Sequence, residues 1–226
     1  MFDDEIDAAL RELQTQWNIA ERRIKKAELV RASEVVAPAI FELRYAGRKL
    51  VDAMALILDS EWQCEAKTKQ TILRQIGDAT EDCVKAKHDA IDAMLVFVTA
   101  WFERTEGAIG LDGLVKYFPE YIKVTGKISN LYDRIAESRG DRNKSRDDIY
   151  DSIENADYAG ILDLYAAMAV SETRVQAQVE AEREQVRRNE RRAVQAETTA
   201  HIAIWIGIAG AAFGLAGAVF AGLALR

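Results

Sequence analysis

The run IAIWIGIAGAAFGLAGAVFAGLAL, from Ile202 to Leu225, contains 24 residues and no charge. About 20 helical residues cross the hydrocarbon core of a bilayer, so this run is long enough to span one. It also lacks the polar stripe that a helix in a soluble core would carry. Trp205 suits the headgroup boundary, where an indole ring is apolar and its N–H stays hydrated. We therefore predict one C-terminal transmembrane helix within residues 201–226.

Charged side chains are confined almost entirely to the chain before this run. All 37 acidic residues and all but one of the 30 basic residues precede Thr198. A net charge of −7 argues against a general nucleic-acid binder, so no DNA partner is expected. The two prolines argue against a turn-rich all-β fold, and the two cysteines argue against a disulfide scaffold.

Basic residues flank the predicted span unequally. Five precede it and one follows it: Arg183, Arg187, Arg188, Arg191 and Arg192 before the span, and Arg226 after it. The positive-inside rule then predicts a cytoplasmic N-terminal part and an outer C-terminus, in the inner (plasma) membrane. Arg191, Arg192 and Trp205 are the expected interface anchors. The acidic N-terminus has no apolar run, so no cleaved signal peptide is expected.

Small residues recur on the faces of the predicted span. On one face a small residue recurs every four positions, at Gly210, Gly214, Ala218 and Gly222. Gly207 and Gly217 form a second small-residue face. Small residues let transmembrane helices approach closely, so the pattern favours self-association. The alternative is a Gly/Ala-rich anchor without a specific partner. A single span forms a pore only as a ring of subunits, whose lumen would here be apolar. The predicted partners are the lipid bilayer and further copies of the chain.

Before the span, apolar residues recur with helical spacing, and no alternating run of β-branched residues predicts a strand. We predict an all-α fold with three parts: a cytoplasmic helical bundle over 1–155, a helical stalk over 156–200, and the transmembrane helix over 201–226. A stripe from Ile6 to Ala27 marks the first helix, and Pro38 suits the first turn of the second. The second helix is predicted to bury five residues: Ile40, Leu43, Leu50, Met54 and Ile57.

A long helical stretch from about Glu61 to Arg104 follows, in which Gly77 is a candidate break. Its predicted inner face comprises Ala79, Cys83, Ile91, Met94, Val98 and Trp101. Pro119 is predicted to start the next helix, which ends near Ser138, and Ser145 is a candidate cap of a short helix.

The predicted stalk has neither proline nor glycine between Gly160 and Gly207. Apolar residues fall on a seven-residue repeat, but Glu172, Glu182 and Asn189 occupy other seam positions. Two interpretations remain open. One is a solvated helix crossed by salt bridges, and the other is a ring of parallel stalks leading to the membrane.

Conventional catalytic groups are sparse. The chain has two histidines, His88 and His201, and it has no CxxC pair, GxxxxGK[ST] loop or GxGxxG motif. His88 is expected to face solvent. Asp147, Asp148 and Asp151 could hold a divalent ion, but such carboxylates are typical of a solvated first helical turn. We expect no cofactor and no metal.

The run RNKSRD, residues 142–147, resembles the Arg-polar-three-residues-His motif of the HEPN superfamily (higher eukaryotes and prokaryotes nucleotide-binding). Tyr150 and the run FELRYAGRKLVDA, residues 41–53, share a general likeness to the same helical bundles. Membrane-anchored members of that superfamily accompany RNA-targeting CRISPR effectors in prokaryotic antiviral defence. The resemblance therefore implies an assembly platform in such a system, with a protein or RNA-bound effector as a possible partner.

The resemblance also implies a set of site residues. In the superfamily, paired Arg and His residues of a dimer cleave RNA, and Arg142 and Asn143 match the first two motif positions. The His position is occupied by Asp147, which cannot replace an imidazole near neutral pH unless its pKa is strongly raised. The motif is thus degenerate, and no catalytic residue and no enzyme activity are expected.

Three classes of function follow from the sequence. The preferred one is an oligomeric membrane effector whose C-terminal helices form a pore or perturb the bilayer. The alternatives are a membrane-tethered ribonuclease and a non-enzymatic scaffold or receptor.

Overall fold

The computed structural model describes residues 4–60, 65–140 and 146–224, with side chains described as far as residue 199 except at positions 140, 155 and 198. The described backbone forms seven α-helices and one π-helical turn: α1 (Asp4–Val30), α2 (Ala37–Asp59), α3 (Ala66–Ile109), α4 (Leu111–Tyr117), α5 (Tyr121–Gly140), α6 (Arg146–Ser152), the π-helical turn (Ile153–Asp157) and α7 (Tyr158–Ala224). No strand occurs in these ranges, so the prediction of an all-α fold is confirmed.

Helix α3 is the centre of the bundle, because α1 and α2 both pack along it. The six residues predicted to face inward are all buried: Ala79, Cys83, Ile91, Met94, Val98 and Trp101. The predicted break at Gly77 is wrong, since α3 runs through it without interruption. A glycine inside a helix costs about 1 kcal/mol relative to alanine, which the packing of so long a helix readily offsets.

Helices α1 and α2 bury different kinds of side chain against α3. The stripe predicted for α1 is largely buried, with Ile6, Leu13 and Ile24 each at most 5% exposed. Helix α2 begins with Pro38 in its first turn, as predicted, where a missing N–H leaves no helical hydrogen bond unmade.

The buried face of α2 differs from the predicted one. It consists of Ala39, Ala46, Ala53 and Ile57. Ile57 was predicted correctly, but Ile40 is 38% exposed, and its predicted burial is wrong. Leu43, Leu50 and Met54 are only partly covered. The reason is that alanines at seven-residue intervals let the α2 backbone lie close to its neighbours, which turns larger apolar side chains outward.

The compact bundle extends from Met1 to Val170, and the rest of the chain, Ser171–Arg226, forms a second unit. The sequence placed the end of the bundle at 155. The first turns of α7 belong to the bundle because they bury apolar side chains: Tyr158, Ile161, Leu164 and Met168. Tyr165 also donates a hydrogen bond to the carbonyl oxygen of Val30 at 3.3 Å, which ties α7 to the end of α1.

In the second unit, the described side chains between 180 and 197 are exposed and carry both signs of charge. Arg188 pairs with Glu184 one turn earlier at 2.7 Å. Within the described part of the chain, no helix has an apolar stretch long enough to cross a bilayer. The span predicted at 202–225 lies outside the residues whose side chains are described.

Candidate functional site

The last two residues of the degenerate motif, Arg146 and Asp147, begin α6. Arg142 and Asn143 fall outside the described residues, as does Ser145, the predicted cap. Asp147 is in the first turn of α6, and this helix packs against α3 and α5. The side chains that contact Asp147 come from α3.

Two adjacent residues of α3 hold Asp147. His88 Nε2 lies 2.8 Å from Asp147 Oδ1, and Lys87 Nζ lies 3.0 Å from the same oxygen. Lys87 also reaches Asp151 Oδ1 at 3.1 Å. His88 and Lys87 are each 5% exposed, so the expectation that His88 faces solvent is wrong. The polar ends of both residues meet α6 instead of water.

Tyr150 covers the imidazole of His88 from α6. The two rings stack with centroids 4.0 Å apart and planes 17° from parallel. Tyr150 is fully buried and donates its hydroxyl to Asp92 Oδ1 at 2.7 Å. Arg139, near the end of α5, donates to the other oxygen of Asp92 at 2.8 Å. Three helices thus converge on one polar cluster.

We call this group the His88 cluster: Lys87, His88, Asp92, Arg139, Asp147, Tyr150 and Asp151. Its charges set the protonation of its members. Burial tends to raise the pKa of Asp147, but the hydrogen bonds and charges of Lys87 and His88 outweigh burial, and the net pKa lies below the ordinary value. An ionised carboxylate only accepts hydrogen bonds, so His88 donates through Nε2.

At His88, unlike at Asp147, the effect of burial on the pKa outweighs the effect of the charged neighbour. Burial lowers the pKa of His88 more than Asp147 raises it, and Lys87 and Arg146 lower it further. Burial together with the hydrogen bond to Asp92 raises the pKa of Tyr150 to about 12. Near neutral pH the cluster therefore holds a neutral imidazole, an ionised Asp147 and a protonated phenol.

The sequence contained a signal for this cluster. Position 87 lies four residues from both Cys83 and Ile91, on the buried stripe of α3, and position 88 lies beside that stripe. A lysine and a histidine on a buried helix face must find polar partners, because an unpaired buried charge is very costly. Composition alone, which favours solvent for both residue types, gave the wrong expectation for His88.

Two of the three carboxylates considered for a metal, Asp147 and Asp151, share a cationic neighbour. Lys87 Nζ lies within 3.1 Å of both Asp147 and Asp151, so its single positive charge offsets one of these two negative charges and occupies the space between them. Among the described residues, no group of three or more His, Cys, Asp or Glu side chains is arranged to hold a metal ion.

The π-helical turn connects α6 to α7, and long side chains from other helices fix it. Arg134 of α5 lies 3.3 Å from Asp157 and donates to Ser152 at 2.9 Å. Arg23 of α1 pairs with Glu154. Wide helical turns of this kind occur frequently at functional positions. Helix α6, the π-helical turn and the start of α7 form a continuous segment that contacts α1, α3 and α5.

A cavity of about 380 Å³ lies between α3 and α5. Phe102, Tyr121 and Tyr132 line it together with Glu103 and Glu106. Tyr121 donates its hydroxyl to Glu106 at 2.8 Å, and burial together with this bond raises the pKa of Tyr121. Two carboxylates without a basic residue in the lining repel a phosphate, so this cavity is not suited to RNA.

Comparisons with protein-family models, with curated proteins and with solved structures found no match for this chain.

Proposed function

We propose that the protein is an oligomeric membrane effector: a helical bundle anchored by its C-terminal helix, whose copies associate in the bilayer and form a pore or perturb the membrane. The observation that carries this proposal is the run of 24 uncharged residues at 202–225. Such a run satisfies the length requirement of a transmembrane helix. The arginines before it favour a cytoplasmic bundle.

Association of the span follows from its small residues. At 3.6 residues per turn, Gly210, Gly214, Ala218 and Gly222 fall along one helix face. In lipid, such faces favour contact between helices because backbones can approach closely. Their repetition over three turns supports pairing with further copies of the same helix.

The bundle offers a position at which an activating partner would act. The His88 cluster and the π-helical turn hold the segment that leads directly into α7, through Lys87, Arg134 and Arg23. A partner that displaced α6 would alter the start of α7. Prokaryotic antiviral defence is the setting that we propose for such a trigger, on the basis of the motif at 142–147.

The mass of the detergent-solubilised particle tests this function. We expect the full chain to be oligomeric, and the double substitution Gly210→Leu with Gly214→Leu to shift the particle to a smaller mass. The physical reason is that two leucines prevent close approach on that face. The matched control is Ala212→Leu with Ala216→Leu, which adds the same side chains to the opposite face and should leave the mass unchanged.

A monomeric wild-type particle would overturn the proposal, because a single-span pore needs several copies. Equal particle masses for both double variants would show that the face of Gly210 and Gly214 is not the one through which the spans associate. Fractionation of cells settles the anchor separately: full chain that stays soluble after membranes are sedimented would contradict a span at 202–225.

One observation favours a second function, the membrane-tethered ribonuclease. His88 lies 2.8 Å from Asp147, the residue at the motif position where the superfamily has His. An imidazole oriented by a carboxylate can take a proton from a ribose hydroxyl. The burial of His88 opposes this function, since substrate would reach the imidazole only if α6 moved.

Cleavage of single-stranded RNA by the purified full chain tests the second function. We expect no cleavage above that of a His88→Ala variant. Cleavage that depends on both His88 and Arg142 would replace the first proposal with the second.

A further inference from the structure

The outward face of α2 is unusually apolar for an exposed helix. Four large side chains on it are more than half exposed: Phe41 at 53%, Tyr45 at 58%, Val51 at 62% and Leu58 at 58%. The opposite face is the buried alanine face. At 100° per residue, the four exposed side chains span about 140° of the helix circumference. We call this surface the α2 outer face. Apolar side chains clustered in this way mark interaction sites more often than isolated ones.

Charged residues of opposite sign lie towards opposite ends of the same face. Arg48 and Asp52 lie near its middle and form an exposed pair at 3.2 Å. Arg44 lies towards one end and Asp59 towards the other, and neither has an ion-pair partner among the described residues. Basic residues therefore occupy the first half of the face and acidic residues the second half.

We propose that the α2 outer face binds the α2 outer face of a second copy, with the two helices antiparallel and related by a two-fold axis level with position 50. This register places Arg48 opposite Asp52 of the second copy, twice in the interface. Arg44 lies about 4.5 Å along the axis from Asp59 of the second copy, within reach of an arginine side chain.

The apolar residues fit the same register. Phe41 meets the turn that carries Leu58 of the second copy, and the large ring of Tyr45 meets the small Ala55. A two-fold contact requires one surface to complement itself, and a sequence with bulky and basic residues at one end and small and acidic residues at the other meets that condition. A partner of different sequence would not require this symmetry, and for this reason a second copy is favoured.

This contact goes beyond the proposed function and does not depend on the span. Span association joins copies within the bilayer, whereas the α2 contact joins bundles. Each is tested by its own variants.

Crosslinking of the full chain at Val51 tests the contact. Val51 lies one residue from the symmetry level, so Val51→Cys of two copies should react with a short bifunctional maleimide. Cys64 is replaced by serine, and the buried Cys83, whose pKa burial raises to about 11, is left in place. The control is Val96→Cys on α3, which is 57% exposed and outside the α2 outer face.

Charge reversal then tests the register. Adding Arg48→Asp should lower the crosslinked yield by about tenfold or more, because two like charges then face each other. Adding Asp52→Arg to that variant restores opposite charges in both the helix and the interface, and should restore the yield. Far-ultraviolet circular dichroism checks that each variant remains helical.

Equal crosslinking at Val51→Cys and Val96→Cys would overturn the proposal. A yield that Arg48→Asp leaves unchanged, or that the double reversal fails to restore, would also overturn it. The variant Gly210→Leu with Gly214→Leu distinguishes the two contacts: loss of span association with retained Val51→Cys crosslinking would leave the α2 contact standing alone.

Discussion

His88 is the residue whose environment most changes its chemistry. Its ring is stacked on Tyr150 and its Nε2 is bonded to Asp147, while burial holds its pKa below the ordinary value of 6.5. The folded protein thus favours the neutral imidazole. The unfolded chain takes up a proton at higher pH than the folded chain does.

This difference predicts a pH dependence of stability. Between pH 6.5 and the lower pKa of folded His88, the free energy of unfolding should fall as the pH falls, with a slope of at most about 1.4 kcal/mol per pH unit. Above pH 6.5 the contribution of His88 is fully present. Urea unfolding of the full chain in detergent at a series of pH values measures the slope.

Substitution assigns the slope to one residue. His88→Gln should flatten the dependence below pH 6.5, and His201→Gln, the change at the only other histidine, is its matched comparison. The lowered pKa of Asp147 adds its own loss of stability only as the pH falls below about 3.8. An equal slope in wild-type protein and His88→Gln would contradict the assignment.

Among the helices, α3 has two glycines in very different backbone geometries, one inside the helix and one at its end. Gly77 lies inside α3, and an added Cβ would have no neighbour within 4 Å. Gly110 ends α3 with φ of 85°, in the left-handed region that favours glycine. The same substitution should therefore have opposite effects at the two positions.

Gly77→Ala should raise the free energy of unfolding by about 0.5–1 kcal/mol, because alanine restricts the unfolded chain and fits the helix. Gly110→Ala should lower it by about 1 kcal/mol or more, because a Cβ is strained at this φ. Urea unfolding midpoints of the two variants measure both changes. Destabilisation by Gly77→Ala would show that α3 is strained at this position.

Helix α2 shows why the sequence did not predict which face of a helix is buried. Its large apolar residues suggested the inward set from Ile40 to Ile57, yet the structure turns the alanine face inward. Periodicity gives the spacing of a face but not which of two apolar faces is buried. Close packing against α3 decided this, because alanine permits the shorter distance between helices.

At the scale of the whole molecule, the proposed function assigns the activity to the C-terminal run and the control to the bundle. Replacing 202–225 with an unrelated apolar segment of equal length should preserve membrane retention and abolish dye entry in cells that express the chain. The reason is that length and hydrophobicity alone anchor a helix, whereas association needs the small-residue face. Dye entry that survives this exchange would favour the scaffold over the effector.

The site was less predictable than the fold. Asp147 could be placed at the mouth of a helix from the motif alone, but its partners Lys87 and His88 are about 60 residues earlier in the chain. No local pattern links positions so far apart, and the pairing depends on α6 packing against α3.

The amino-acid sequence alone was enough to predict the all-helical fold, the buried stripe of α3, the start of α2 at Pro38 and the contrast between a charged chain and an uncharged C-terminal run. These properties depend on local spacing and composition, which the sequence contains directly. Only the packing of the helices shows that the alanine face of α2 is buried, that His88 lies buried against Tyr150, and that Lys87 pairs with both Asp147 and Asp151. Each of these depends on which helices meet, because burial and charge pairing are set by neighbours that are distant in the chain.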